Sequence, residues 1–555
     1  MPFDTPRGRQ QIVGTDSVPA PVGGLNFRDS AAAMPVTDAI LMLNFQPLPY
    51  AVALRKGWQE VVTGLGATVE TISNHHKADG TQVIIMAAGP NIFAQTAPGP
   101  VGVAAVSGLT DAYWQTTMLS NSGGTFTYMV NGADAPQVYN GTAFAAVALQ
   151  DPPTGFNVKG LDPKLFLNIT LHQRRLWFVE KNSLRMWYLP PDQIGGVLEE
   201  FDLGPVMGLG GTLVTMASWT VDAGQGMDDY AAFISSEGQV AIYVGSDPGS
   251  ITTWTLQGVF SVGSPIGLRC ATKYGGDVIV ITRDGLLPLS KALQSTRVNS
   301  QVNLTDKIQH LISSLISAFG EARGWETFLF PNENQVWVTV PTPDAVRVFS
   351  MNTISGAWCE YAGMSIASVC LYDDQPLFGT RDGRVGLGWT GYLDGVTLAT
   401  GEGTEIAASV VTAYNYFGEP GRNKRWVLAR PIFQSGSVPA SSIGVLLDFE
   451  YTGTPELVSQ NTAPSVQTQA FGAQPLTPGT FGAGPSVTPF ATAASSQWNA
   501  AVWNGSNWPE SSSRYRNWVS ISGIGYCAAL SIDVVQGNEL LWTATDFVFE
   551  MGSVV

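Results

Sequence analysis

Cysteine is scarce in this chain: Cys270, Cys359, Cys370 and Cys527 are the only four in 555 residues. None stands in a CxxC spacing or with a paired histidine pattern, so neither a zinc site nor a dense disulfide framework is indicated. Reduced, buried thiols in a protein made in the cytosol are the simple expectation. Histidine is as rare, with only His75, His76, His172 and His310. His75-His76 lacks the further ligands a metal would need, so exposed or capping roles are expected and no metal-ligating residue is assigned. Charge is also short, at 13% of residues, and the 28 basic side chains are outnumbered by 44 acidic ones for a net −16. That balance argues against tight or sequence-specific nucleic-acid binding over the whole surface. It is compatible with DNA as cargo, because an acidic wall repels the duplex and lets it slide. No apolar run approaches the roughly 18 residues of a membrane-spanning helix. Met1-Pro2-Phe3-Asp4-Thr5-Pro6-Arg7 lacks the charged-then-apolar pattern of a secretion signal.

The usual catalytic motifs are missing too. The sequence has no GxSxG, HExxH or P-loop, and no strand-GxGxxG-helix unit. Gly208-Leu209-Gly210-Gly211 reads as a turn, since no Lys-Ser/Thr follows it. Glu199-Glu200, Asp228-Asp229 and Asp373-Asp374 are the acidic pairs, of interest because ring-shaped β-folds that cleave glycosides use two or three carboxylates. Adjacent acidic residues in a loop usually point apart into solvent. No DxDxDG run suggests calcium. The chain is therefore read as a non-enzyme, with no catalytic, cofactor-binding or metal residue named.

What the chain does have is a repeat. Asp79-Gly80, Asn131-Gly132, Asn182-Ser183, Glu237-Gly238, Asp284-Gly285, Asn334-Gln335 and Asp382-Gly383 are turn words separated by steps of 52, 51, 55, 47, 50 and 48 residues. Each lies between β-branched and aromatic runs, as in Asp277-Val278-Ile279-Val280-Ile281-Thr282 before Asp284-Gly285. Asn, Asp and Gly suit these turns because hairpin connections need positive φ. A hairpin per ~50 residues predicts an all-β fold with a β-propeller body of six to seven repeats. A large sandwich is the alternative. Low charge with 16 Trp and 16 Tyr fits burial against partners or a large interior.

Along the chain, 1–40 reads as an irregular arm and 41–400 as the propeller. One helix interrupts the repeat: Leu304, Ile308, Leu311, Ile312, Leu315, Ile316 and Phe319 share a helical face, and Thr305 is placed to cap it. It is expected to plug a gap between blades or to pack on a neighbouring subunit. Segment 401–452 reads as strands of a second β domain. Segment 453–510 is a low-complexity loop or arm, in which Phe471-Gly472-Ala473 recurs as Phe481-Gly482-Ala483. It ends near Trp498, Trp503 and Trp508, an aromatic cluster that could serve a receptor or glycan. Segment 511–555 returns to strands that complete the second domain or the propeller.

Three words carry a resemblance. Leu43-Asn44-Phe45-Gln46-Pro47-Leu48-Pro49-Tyr50, Leu54-Arg55-Lys56-Gly57-Trp58 and Thr63-Gly64-Leu65-Gly66 form the first. Residues 276–289 and Arg516-Asn517-Trp518-Val519-Ser520-Ile521-Ser522-Gly523-Ile524-Gly525 supply the others. Together they resemble the tail nozzle (hub) proteins of short-tailed bacteriophages. The resemblance implies a structural virion protein that forms the distal ring of the tail, a homo-oligomer and most often a hexamer. It further implies a portal-adaptor ring above, tail fibres or tailspikes alongside, and indirect contact with the host surface. Double-stranded DNA passes through the lumen without sequence-specific binding, and assembly occurs in the host cytoplasm. A receptor- or carbohydrate-binding tail protein and a β-propeller hydrolase are the competing expectations.

Overall fold

The computed structural model describes residues 12–222, 227–250, 252–292, 303–451 and 513–554. The chain divides into two compact units, Lys56–Thr404 and the pair Met1–Arg55 with Glu405–Val555.

Among the described residues, the first unit contains, together with a small parallel pair, Val158–Lys159 with Gly196–Val197, seven successive antiparallel sheets. Their first strands are Val69–His76, Gln115–Asn121, Phe166–His172, Leu213–Asp222, Ala271–Tyr274, Glu326–Phe330 and Ile366–Tyr372. We number the sheets 1 to 7 in that order. The first strand of each sheet contacts the first strand of the next, and that of sheet 7 contacts that of sheet 1, so the array closes on itself. Sheet 7 takes its fourth strand from the other end of the unit. Trp58–Thr63 pairs antiparallel with Val385–Gly388, Val62 lying opposite Val385.

The strands read as nearly continuous apolar runs because both faces of each sheet are covered. In Gln82–Ala88, Ile84 and Met86 pack towards sheet 7, while Val83, Ile85 and Ala87 pack towards sheet 2. In sheet 3, Leu176 and Phe178 face sheet 2, and Trp177 and Val179 face sheet 4. The period-2 alternation of a strand thus delivers its side chains to two different cores. All seven predicted turns contain a positive-φ residue: Asn182 and Asn334 at 57° and 53°, and a glycine in the other five. They do not occupy equivalent places. Asp79-Gly80 and Asn334-Gln335 join first and second strands, whereas the other five join second and third.

A second recurrence lies deeper. The first strands of sheets 1, 3, 4 and 7 each carry a register shift at their outset, at 69/71, 166/168, 213/215 and 366/368. Each shift leaves one residue without a ladder partner and sharpens the local twist.

The predicted helix is Gln309–Phe319, after a 3-10 turn at Asp306–Ile308, and it buries Leu311, Ile312, Leu315 and Ile316. It contacts Gly285–Pro288 of sheet 5 and Gln335–Pro341 of sheet 6. Thr305 does not cap it. Its hydroxyl accepts from the Leu286 N–H and donates to Gln309 Oε1, because the intervening 3-10 turn moves it off the helix start.

The second unit has two groups of strands. Arg422–Ser435 pairs with Leu540–Val554, which also pairs with Ile12–Pro19. Thr404–Thr412, Ala528–Gln536 and Ala440–Leu447 form the other ladder, with Asp38–Leu43 beside the first of these. Residues 12–19 are therefore a strand where an irregular arm was expected. The strand is largely exposed, so it carries no hydrophobic alternation to read. Residues 41–55 likewise belong to this unit, and the seven-sheet array begins only at Lys56. The C-terminal strands pair within the second unit, while Trp58–Thr63 closes the array.

Candidate functional site

Each of the seven first strands contains a threonine or serine, including Thr71, Thr116, Thr170, Thr215, Thr272, Thr327 and Ser368. Many of them bond across to the neighbouring sheet. The Thr71 hydroxyl donates to Ala112 O at 2.8 Å and receives the Trp114 N–H at 2.8 Å. Thr170 donates to Met216 O at 2.7 Å, and Asn168 reaches Val214 O and Leu268 O. Thr272 donates to Thr327 O at 2.9 Å, and Ser368 closes the cycle on Val69 O at 2.7 Å. These bonds satisfy carbonyls that antiparallel pairing within a sheet leaves facing the centre.

The strands enclose a cavity of about 520 Å³ lined by residues of all seven sheets. An ion pair stands in its lining. Arg269 Nη1 lies 3.2 Å from Glu326 Oε2, and the two side chains are 12% and 14% exposed. The second guanidinium nitrogen donates to Glu70 O, Thr71 Oγ1 and Trp114 O at 3.1, 3.0 and 2.9 Å. The guanidinium also lies 4.3 Å from the Tyr113 ring centre. Arg269 thus ties sheets 1, 2, 5 and 6 with one planar group, which a lysine could not do. Burial pushes the Glu326 carboxyl up and the Arg269 guanidinium pulls it back. Burial opposes the Arg269 charge as well, but Glu326, Tyr113 and Glu70 together raise the guanidinium above its ordinary value.

A second cavity of about 190 Å³ lies among the leading ends of the same strands and includes Glu70, Tyr113, Arg323 and Arg381. The Glu70 carboxyl is raised there, by burial first and then by neighbouring Asp111.

No protein-family model and no curated protein matches this chain. Solved structures give low-scoring likenesses. The computationally designed Ika8 protein aligns with a TM-score of 0.32 and 10% identity, over 60% of this chain and 100% of its own. YCF48 bound to D1 peptide aligns with a TM-score of 0.36 and 12% identity, over 64% of this chain and 99% of its own.

The acidic pairs are not brought together. On the strand Glu199–Asp202, Glu199 accepts from the Tyr188 hydroxyl at 2.6 Å while Glu200 faces Arg185 at 3.7 Å. Asp229 accepts from Thr220 at 2.7 Å in sheet 4. Asp373 and Asp374 are the two positive-φ residues, at 47° and 59°, of a tight hairpin in sheet 7. Two histidines depart from the expected exposed or capping roles. His75 Nδ1 is 2.8 Å from Thr127 Oγ1, His172 Nδ1 is 2.9 Å from Ser218 Oγ, and both rings are buried. They sit on strands covered on both faces, so burial follows from position. His172 is held down to about 4 by burial. His76 and His310 are exposed. Among the described residues no cluster of three His, Cys, Asp or Glu side chains could hold a metal. All four cysteines are free, and burial pushes the Cys270 and Cys359 thiols up to about 12. Trp498, Trp503, Trp508 and the 453–510 arm lie outside the described residues.

Neither Arg269 nor the hydroxyl series emerges from motif reading. Every first strand holds at least one Thr or Ser, but the spacing of the bonded ones is less regular than that of the turns.

Proposed function

We propose that this chain is a structural subunit of a short phage tail: the nozzle ring through which packaged DNA leaves. The Lys56–Thr404 unit is read as a seven-bladed β-propeller, each sheet being one blade. One observation carries the functional reading. The words that resemble nozzle proteins include Lys56-Gly57-Trp58 and Thr63-Gly64-Leu65-Gly66, which bracket the strand that seals the cycle. Trp58 packs edge-on against Phe378 at 5.4 Å, and Arg384 lies 5.2 Å from its ring centre. The close approach leaves no side-chain room at Gly57, where an added Cβ would lie 1.9 Å from Leu393 O.

The space inside one chain is not the DNA path. A cavity of about 520 Å³ lined in part by Arg269 and Glu326 is of small-molecule size, whereas a duplex has a major groove alone about 12 Å wide. The lumen must then lie between subunits. Six copies of a −16 chain carry −96 formal charges, enough to keep DNA from adhering to the wall. A non-enzymatic role is supported by the cavity lining, whose one carboxylate, Glu326, is engaged by Arg269; glycoside cleavage uses two.

Native mass spectrometry of the purified chain, alone and with a candidate adaptor ring, tests the reading. A closed ring of about six subunits, with or without the adaptor, is expected. A monomer indifferent to the adaptor would overturn it.

A further inference from the structure

The central cavity holds more unused polar capacity than a structural seam requires. Gln115 is 6% exposed and lines it, yet its amide nitrogen has no hydrogen-bond partner among the described residues. A buried donor that nothing accepts from is costly. Thr117 and Thr215 also line the cavity, and their hydroxyls are not spent on the bonds that join neighbouring strands. Lys273 stands in the same lining and makes no ion pair among the described residues.

The charge of this lining runs against that of the chain. Arg269 and Glu326 cancel, which leaves Lys273 as the one unmatched charge, in a protein of net −16. Asp229, on the next strand of sheet 4, is held by Thr220 and does not line the cavity.

We infer that this cavity binds a small anionic, hydroxyl-rich solute of monosaccharide size, a sugar acid or a sugar phosphate. Lys273 would meet the anionic group, while Gln115, Thr117 and Thr215 would meet ring hydroxyls. A volume of about 520 Å³ lies within the range of small-molecule sites. The inference does not depend on the ring-forming role.

Isothermal titration of the full-length protein with D-glucuronate, D-glucose 6-phosphate, D-glucose and inorganic phosphate tests it, with glucuronate and glucose 6-phosphate separating carboxylate from phosphate. Saturable binding of at least one anionic sugar is expected, with glucose and inorganic phosphate each weaker. Lys273→Met should weaken the anionic sugar about tenfold, the scale of one charge-assisted contact, and leave glucose unchanged. Gln115→Leu should weaken both sugars. Lys273 is exposed, so its substitution leaves the fold intact and circular dichroism should be unchanged. No saturable binding of either anionic sugar, inorganic phosphate binding as tightly as glucose 6-phosphate, or equal affinity in Lys273→Met would each overturn the proposal.

Discussion

The two units solve the burial problem differently. In Lys56–Thr404, short strands distribute their side chains among separate cores, each confined between consecutive sheets. Polar bonds and one ion pair join those cores at the centre. In the second unit, strands of 14 and 15 residues, Arg422–Ser435 and Leu540–Val554, run side by side. An aromatic group of Phe417, Trp426, Phe547 and Phe549 lies on them, with ring centres 4.6–6.1 Å apart. Among the buried charges here is Lys424, whose ammonium donates to Glu419 O, Arg422 O and Tyr526 O. A modular unit is vulnerable where its modules meet. A continuous one is vulnerable in the middle of its packing.

Substitutions can break that contrast. Arg269→Met leaves Glu326 buried and unpaired, which should cost the seven-sheet unit about 3–5 kcal/mol; adding Glu326→Leu should recover most of it. Trp426→Ala should cost the second unit a similar amount, about 3–5 kcal/mol, through the cavity it leaves. Urea unfolding followed by hydrogen exchange in each unit would separate the two losses. If either substitution destabilised both units equally, the division of labour would be wrong.

Protonation comes next in size. His172 is held near 4 in the fold against 6.5 unfolded. Below pH 6.5 the unfolded chain therefore binds the extra proton. Stability is full above that pH and falls as pH drops to about 4, by about 3 kcal/mol at 1.36 kcal/mol per unit. His172→Gln should flatten the dependence across that window. Glu70 acts in the opposite sense. Its raised carboxyl favours the fold when protonated, so stability falls as pH rises above the unfolded value of 4.5, and Glu70→Gln should remove that slope.

Smaller effects sharpen the picture. Thr170→Val should cost about 1 kcal/mol by stranding the Met216 carbonyl, read as a lower denaturation midpoint at constant m-value. Arg430→Ala breaks a surface pair with Asp546 at 2.6 Å and should cost less than about 1 kcal/mol. A loss there as large as that of Thr170→Val would mean that the surface pair matters as much as the central bonds.

Local chemistry was readable in the sequence. Every predicted turn carries the positive φ that its Asn or Gly permits, and the helix buries the apolar face that its spacing announced. Long-range features were not. Thr71, Thr170 and Ser368 look like ordinary strand residues until the neighbouring sheet is in place. Arg269 follows a Gly-Leu pair and gains its meaning from carbonyls 155–199 residues away. The strand Ile12–Pro19 escaped because an exposed strand shows no alternation. The acidic pairs were expected to point apart, and Glu199 and Glu200 take different partners, Tyr188 and Arg185.

The sealing strand sets a timetable for synthesis. Val62 finds its partner Val385 only after every intervening sheet has been made. At 5–20 residues per second the ribosome needs roughly 15–65 s to cover that stretch. Throughout it, Trp58, Val61 and Val62 belong to a strand without its antiparallel partner, the kind of segment that pairs with other chains. The newborn protein is therefore most exposed to misassembly just before its last sheet emerges.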